Sequence, residues 1–444
     1  SADAFRTSMV EGGNYMLTAD IELFNWRPIS TAISSLDGNG HIIYLRSFAQ
    51  STDTTSANYG LFSTLAEGAV VKNLIIDVSH NIYVDLQNIA NVKFGFVAGV
   101  NNGIIYNCDI VVTKTKQEWS QIYNNTAIRN SENADEQFGR NIFDKIMNNS
   151  AEYIGYNTNA STFIMTSKTV GSNNVSASVG ALVGENGSTG TITNSRVGRV
   201  DGDNALGTTA TTSVGGAVYA AQGLNFFASG NVGGLVGVNS GVISNSYFAN
   251  GYVVNSLMDI YSSTNTSGAR TGGLVAVQNS GGRIFGSYAR GQLDDGDTRS
   301  TLGGVIAYGT IGGLVHSNSG VITNSYSNMN LSSASGMGGF VYENLSGARI
   351  THSYSLSKVK TQGLINGMFI GVDNEGNLLD SSNSVVENCF YLTEEGAIVD
   401  SAERAIPLAQ ESWQDPTGSS FEGFAISIED DGENTWFIDS NRAY

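Results

Sequence analysis

The stretch Gly233-Gly-Leu-Val-Gly-Val-Asn-Ser-Gly241-Val-Ile-Ser-Asn-Ser-Tyr247 recurs along this chain. Close copies open at Gly95, Val183, Gly272, Gly312 and Gly338, a degenerate one at Phe369, and a looser one at Tyr59. Each unit reads as two short strands, Gly-Leu-Val-Gly-Val and Val-Ile-Ser-Asn-Ser, around an Asn-Ser-Gly turn. Internal repetition of this kind signals stacked coils, because one copy cannot bury its apolar positions alone. The steps are uneven: Gly234 to Gly273 is 39 residues, Gly273 to Gly313 is 40 and Gly313 to Gly339 is 26. A short coil carrying loops of variable length explains such steps.

Column chemistry assigns the faces. Ile105, Ile192, Ile243, Ile284, Ile322, Ile350 and Val386 are β-branched in every copy and are expected to point inward. The column before it admits Arg283 and Arg349, so it points out, as period-two alternation demands. Burying one such Ile contributes about 2 kcal/mol, so the columns form a thin continuous core. Asn107, Asn194, Asn245, Asn324 and Asn388 are expected to stack amide on amide between coils, with gaps at Gly286 and His352. The following column is small throughout (Cys108, Ser195, Ser246, Ser287, Ser325, Ser353, Cys389) and fits a cramped bend. The fold expected is all-β, a parallel β-solenoid with one mainly helical insertion.

Residues 1–58 are read as an N-terminal cap and first coils, 59–395 as the solenoid, and 396–444 as a C-terminal capping segment. The last concentrates Trp413, Phe421, Phe424, Trp436 and Phe437 beside the acidic run Glu429–Glu433. The array is interrupted at 112–170, where Phe138, Ile142, Phe143, Ile146 and Met147 fall at helical spacing.

Only 14% of the 444 residues are charged, while 41% are hydrophobic and 54 are glycine. A net charge of −18 opposes binding to nucleic acid or to anionic membrane. No apolar run is long enough to span a bilayer. The two cysteines, Cys108 and Cys389, are too far apart in a linear stack to pair, and are read as buried thiols.

The Gly-Gly-Leu-Val-Gly-x-Asn-Ser-Gly-x-Ile-x-Asn-Ser-Tyr pattern resembles the GLUG motif of large bacterial surface proteins. These include filamentous-haemagglutinin-like adhesins and the non-catalytic part of immunoglobulin A peptidases. The lead-in from Leu17 through Trp26-Arg-Pro-Ile29 to Asp37-Gly-Asn-Gly40, and the Ser420-Phe-Glu-Gly-Phe424 ending, are similar to those of such arrays. The resemblance implies a right-handed β-helix at the cell exterior, with a role in adhesion, scaffolding or biofilm. The peptidase zinc motif His-Glu-x-x-His is missing: His41, His80, His316 and His352 are scattered.

Two sets of residues are candidate sites. Tyr247, Tyr288, Tyr326, Tyr354 and Phe390 follow the small column, so they are expected to face out as an aromatic strip. Such a strip either stacks sugar rings or shields and stiffens the coil stack. Asp294, Asp295 and Asp297 form the densest acidic cluster within the array, which reads as a solvated turn or as oxygen ligands for calcium. No paired carboxylates suited to glycoside cleavage stand out in the repeat columns. The expected role is therefore an extracellular, non-enzymatic adhesin or scaffold with a glycan or other surface ligand. A self-assembling filament subunit and a β-helix polysaccharide-degrading enzyme are the alternatives.

Overall fold

The computed structural model describes residues 2–49, 56–78, 89, 91–111, 176–198, 225–227, 230–249, 251–255, 270–294, 297–302, 304–307, 309–333, 335–359, 366–393, 404–408, 426–427 and 436–437. A representative coil runs through five strands: Asn231–Gly233, Val236–Asn239, Val242–Ser244, Tyr247–Ala249 and Tyr252–Asn255. The next coil begins at Arg270–Gly272, hydrogen-bonded in parallel to Asn231–Gly233. The first and second strands stack into separate seven-stranded parallel sheets, and the third and fourth share one bent sheet of 19 strands. The fifth forms a five-stranded parallel sheet. This is the expected parallel β-solenoid.

The isoleucine column lies in register from coil to coil, and Ile105 through Ile350 are fully buried. It also extends two coils further toward the N-terminus, through Val71 and Leu36. A second column, Leu182, Leu235, Leu274, Leu314, Phe340 and Phe369, lines the facing wall and is equally buried. At its end Phe340 and Phe369 stack with ring centres 4.7 Å apart. The positions flanking the isoleucines range from open, Ile104 being 39% and Phe285 40% exposed, to buried at Ser244 and Thr351.

The glycine doublet has a packing cause. A Cβ at Gly273 would lie 2.1 Å from the carbonyl oxygen of Gly313 in the next coil, and one at Gly313 would lie 1.9 Å from that of Gly339. The chain bends here against its neighbour, and any side chain would push the coils apart.

The asparagine ladder lies in a different column from the one expected. It is built by the turn residues Asn101, Asn186, Asn239, Asn318 and Asn344, all fully buried. Asn101 donates to Asn186 at 2.8 Å, Asn186 to Asn239 at 2.8 Å, and Asn239 to Gln278 at 2.7 Å. Asn318 donates to Asn344 at 2.9 Å, and Asn344 to Asp380 at 2.8 Å. Arg404 closes the series by pairing with Asp380. In the short turns the same carboxamide oxygen accepts the N–H two residues on, as Asn101 does from Gly103.

Asn107, Asn194, Asn245, Asn324 and Asn388 do something else. All adopt φ between 47° and 52°, as do Asn73 and, near it, the interrupting Gly286 and His352. The left-handed region favours Gly and Asn, so this column is selected for a bend in the backbone. Amide contacts along it are local, such as Asn107 to Asn73 at 3.0 Å.

The small column answers that bend. Ser246 Oγ donates to its own Ser244 carbonyl at 2.7 Å and accepts the N–H of Ser195 at 3.0 Å. Ser287, Ser325 and Ser353 repeat the arrangement. Cys108 and Cys389 occupy the same position, buried and unpaired with each other. Burial pushes both thiols up to about 12.

At the N-terminal end a short helix, Ala2–Thr7, places Phe5 against Trp26, whose buried indole N–H reaches the carbonyls of Gly60 and Leu61. At the other end Ile406–Leu408 adds a parallel strand to Val385–Leu392. Ile426–Ser427 and Trp436–Phe437 pair in parallel. The helical insertion expected within 112–170, and Trp413, Phe421 and Phe424 of the expected cap, lie outside the described residues.

Candidate functional site: an aromatic stack on the fourth strand

The fourth strand of each coil carries one inward residue between two outward ones. Phe248 and Ala289 enter the main core, while Tyr247 and Tyr288 fall outside it, in a separate small cluster. Parallel pairing sets Tyr247 against Tyr288, Tyr288 against Tyr326, Tyr326 against Tyr354, and Tyr354 against Phe390. The four tyrosine rings form a continuous stack, with centres 4.6, 4.6 and 5.1 Å apart and planes within 15°. Because the backbone repeat nearly equals the stacking distance of aromatic rings, the sheet itself imposes this geometry.

The stack is not open along its whole length. Tyr247, Tyr354 and Phe390 are 5%, 4% and 3% exposed, the last two packing with Leu408 and Leu356. Tyr288 and Tyr326, in the middle, are half-buried and present the accessible part. The flat exposed strip expected of all five residues is thus narrowed to two coils, with Leu356 and Leu408 packed over the Tyr354–Phe390 end and Tyr247 buried at the other.

Charged residues extend the same column. Arg196 pairs in register with Tyr247, and Asp109 with Arg196. Their side chains form an ion pair of 3.6 Å, with Asp109 only 3% exposed. Arg196 also donates to Asn107 at 3.2 Å. The guanidinium of Arg290 lies 5.9 Å from the centre of the Tyr288 ring, within cation–π range. The sequence signal for Arg196 and Asp109 was available, since each follows the small-column residue of its coil. Arg290 carries no such signal, because its approach to Tyr288 depends on side-chain direction.

Asp294 and Asp297 pair in an antiparallel hairpin formed by Gln292–Asp294 and Asp297–Leu302. Their side chains, and Asp295 altogether, lie outside the described residues. Among the described residues no cluster of three or more His, Cys, Asp or Glu could hold a metal ion, and no helix is long and apolar enough to cross a membrane.

No protein-family model and no curated protein sequence matches the chain. Among solved structures it is similar to the crystal structure of a putative immunoglobulin A1 protease from Bacteroides ovatus. The identity is 15% and the TM-score 0.37, over 93% of this chain and 82% of that one. That likeness is too distant to transfer activity; the parallel architecture rests on the strand register itself.

Proposed function

We propose that the chain is part of an extracellular bacterial surface adhesin or scaffold whose fourth-strand face binds a glycan. The observation that carries this reading is the tyrosine stack: Tyr288 and Tyr326 hold parallel rings 4.6 Å apart, with partial access to solvent. Each ring face lies against the next ring, so the stack offers a ligand its ring edges, held at little entropic cost because backbone pairing already orders them. The face carries ordered aromatic groups suited to holding a ligand, and its role is binding, not turnover. The net charge of −18 suits a neutral ligand, or one met at a local cation.

A glycan array probed with the wild type and with a Tyr288→Ala plus Tyr326→Ala variant tests this. The variant is expected to lose at least about tenfold in affinity, roughly 1.4 kcal/mol, for whichever glycans the wild type retains. Unchanged binding by a variant with unchanged melting would overturn the reading.

A further inference from the structure

Two outward columns run down the third strands, one on each side of the buried isoleucines. One reads Ile104, Thr191, Val242, Arg283, Val321 and Arg349; the other reads Tyr106, Thr193, Ser244, Phe285, Thr323 and Thr351. Neither column holds an Asp or Glu over these coils, although the chain as a whole carries a charge of −18. The acids that bound the strip are already paired, Asp37 with Lys72 at 3.3 Å and Glu387 with Arg349 at 2.7 Å. Arg283 is exposed, and its register neighbours are the uncharged Val242 and Val321.

Three large apolar side chains are exposed on this strip: Ile104 at 39%, Tyr106 at 42% and Phe285 at 40%. In the tyrosine column each ring covers the next, whereas here short side chains stand beside the rings. Thr193 follows Tyr106 in register, and Ser244 and Thr323 flank Phe285. Tyr106 and Phe285 are three coil steps apart, about 14 Å at the spacing of parallel strands. The side chains between them are small, and Ser244 Oγ donates to Thr193 Oγ1 at 2.7 Å. The outcome is a shallow recess floored by two coils, with one exposed ring at each end. Arg283 precedes Phe285 by two residues on the same strand, so it shares the face at about 7 Å along the strand.

The size of the recess decides its occupant. With its bounding coils it covers on the order of 200 Å², against roughly 800 Å² per partner in a stable protein interface. A second copy of the chain would gain too little there. A carbohydrate chain is narrow enough to lie along the strip, and its ring faces suit exposed aromatic rings that no neighbouring ring covers. The guanidinium fork of Arg283 matches a carboxylate in both charge and shape.

We infer that the third-strand face binds an oligosaccharide bearing uronic acid, with sugar rings against Tyr106 and Phe285 and a carboxylate on Arg283. This surface lies across the bend at Asn245 from the tyrosine face and does not depend on that face binding anything. It is a local exception to the repulsion that the net charge imposes on anionic ligands.

The intact chain is titrated with short oligogalacturonate, oligomannuronate and hyaluronan fragments, and with the same sugars after reduction of their carboxyl groups. At least one uronate probe is expected to bind, and to bind about tenfold more weakly once reduced. Tyr106→Ala plus Phe285→Ala should weaken binding by at least about tenfold at an unchanged melting temperature, since both positions are exposed. Arg283→Gln should bring the uronate down to the level of its reduced counterpart. Tyr288→Ala plus Tyr326→Ala should leave uronate binding unchanged, so the two faces fail independently. No binding of any uronate probe, equal binding of the reduced sugars, or wild-type binding by the Tyr106 and Phe285 variant would overturn the inference. So would loss of binding in the Tyr288 and Tyr326 variant, or a dimer that Phe285→Ala dissociates in sedimentation.

Discussion

Asn239 and Asn245 stand six residues apart in the same coil, and each belongs to a column of asparagines running along the solenoid. Asn239 is fully buried: it takes a hydrogen bond from Asn186 and passes one to Gln278. Asn245 is exposed and is held at φ 47°. The first is kept for its side chain and the second for its backbone. Identical letters at identical periodicity therefore answer two different physical demands. A column of one residue type reports that a constraint exists without naming it.

The comparison breaks most visibly under alanine substitution. Asn239→Ala strands the buried Asn186 amide and the Gln278 oxygen, and removes the acceptor for the Gly241 N–H. A loss of about 3 kcal/mol is expected, since buried polar groups left without partners carry their full desolvation cost. Hydrogen exchange should place the loosening in the coils around Asn186 and Gln278, because each repeat leans on its neighbours.

The column after the bend sharpens the same contrast. Ser287→Ala leaves the Ser246 N–H without its acceptor and should cost about 2 kcal/mol. Ser287→Cys should cost under about 1 kcal/mol, because Cys108 and Cys389 already fill this position, each with its thiol near the carbonyl two residues back. Chemical denaturation of the two variants side by side checks the difference.

Asn245→Ala touches only the bend. It should cost about 1 kcal/mol, the strain of a Cβ in the left-handed region, while Asn245→Gly should change stability by a few tenths of a kcal/mol. Equal losses for Asn239→Ala and Asn245→Ala would erase the distinction between the columns.

The smallest effect concerns the thiols. Both cysteines are buried with pKa values pushed up to about 12, so native protein at pH 8 should resist alkylation until its coils open. In the unfolded chain these thiols ionise near pH 8.5. Their contribution to stability is therefore complete below that pH and declines as pH rises toward 12. A melting temperature that falls over this window in the wild type, and less in Cys108→Ser, would show it.

The candidate site was legible to a similar depth. The alignment of Tyr247, Tyr288, Tyr326, Tyr354 and Phe390 followed from counting along the repeat, because parallel pairing preserves column identity. Their unequal exposure did not, since the groups that close over Tyr247 and Phe390 are not fixed by repeat position. Arg290 at Tyr288, and the joining of Thr310, His316, Ser317 and Glu343, were hidden for the same reason. Arg290 reaches Tyr288 within one strand by side-chain direction, whereas the Thr310–His316 and Ser317–Glu343 contacts cross between strands or coils where the repeat is broken.

Sequence alone determined the coil, its inward isoleucines, its outward arginines and the order of its columns, because period-two alternation and a recurring unit leave one way to bury the apolar face. Tertiary structure alone decided which asparagines form the ladder, which tyrosines meet solvent and what His316 touches. Those outcomes depend on backbone φ and on neighbours one coil away, and a side chain's letter carries neither.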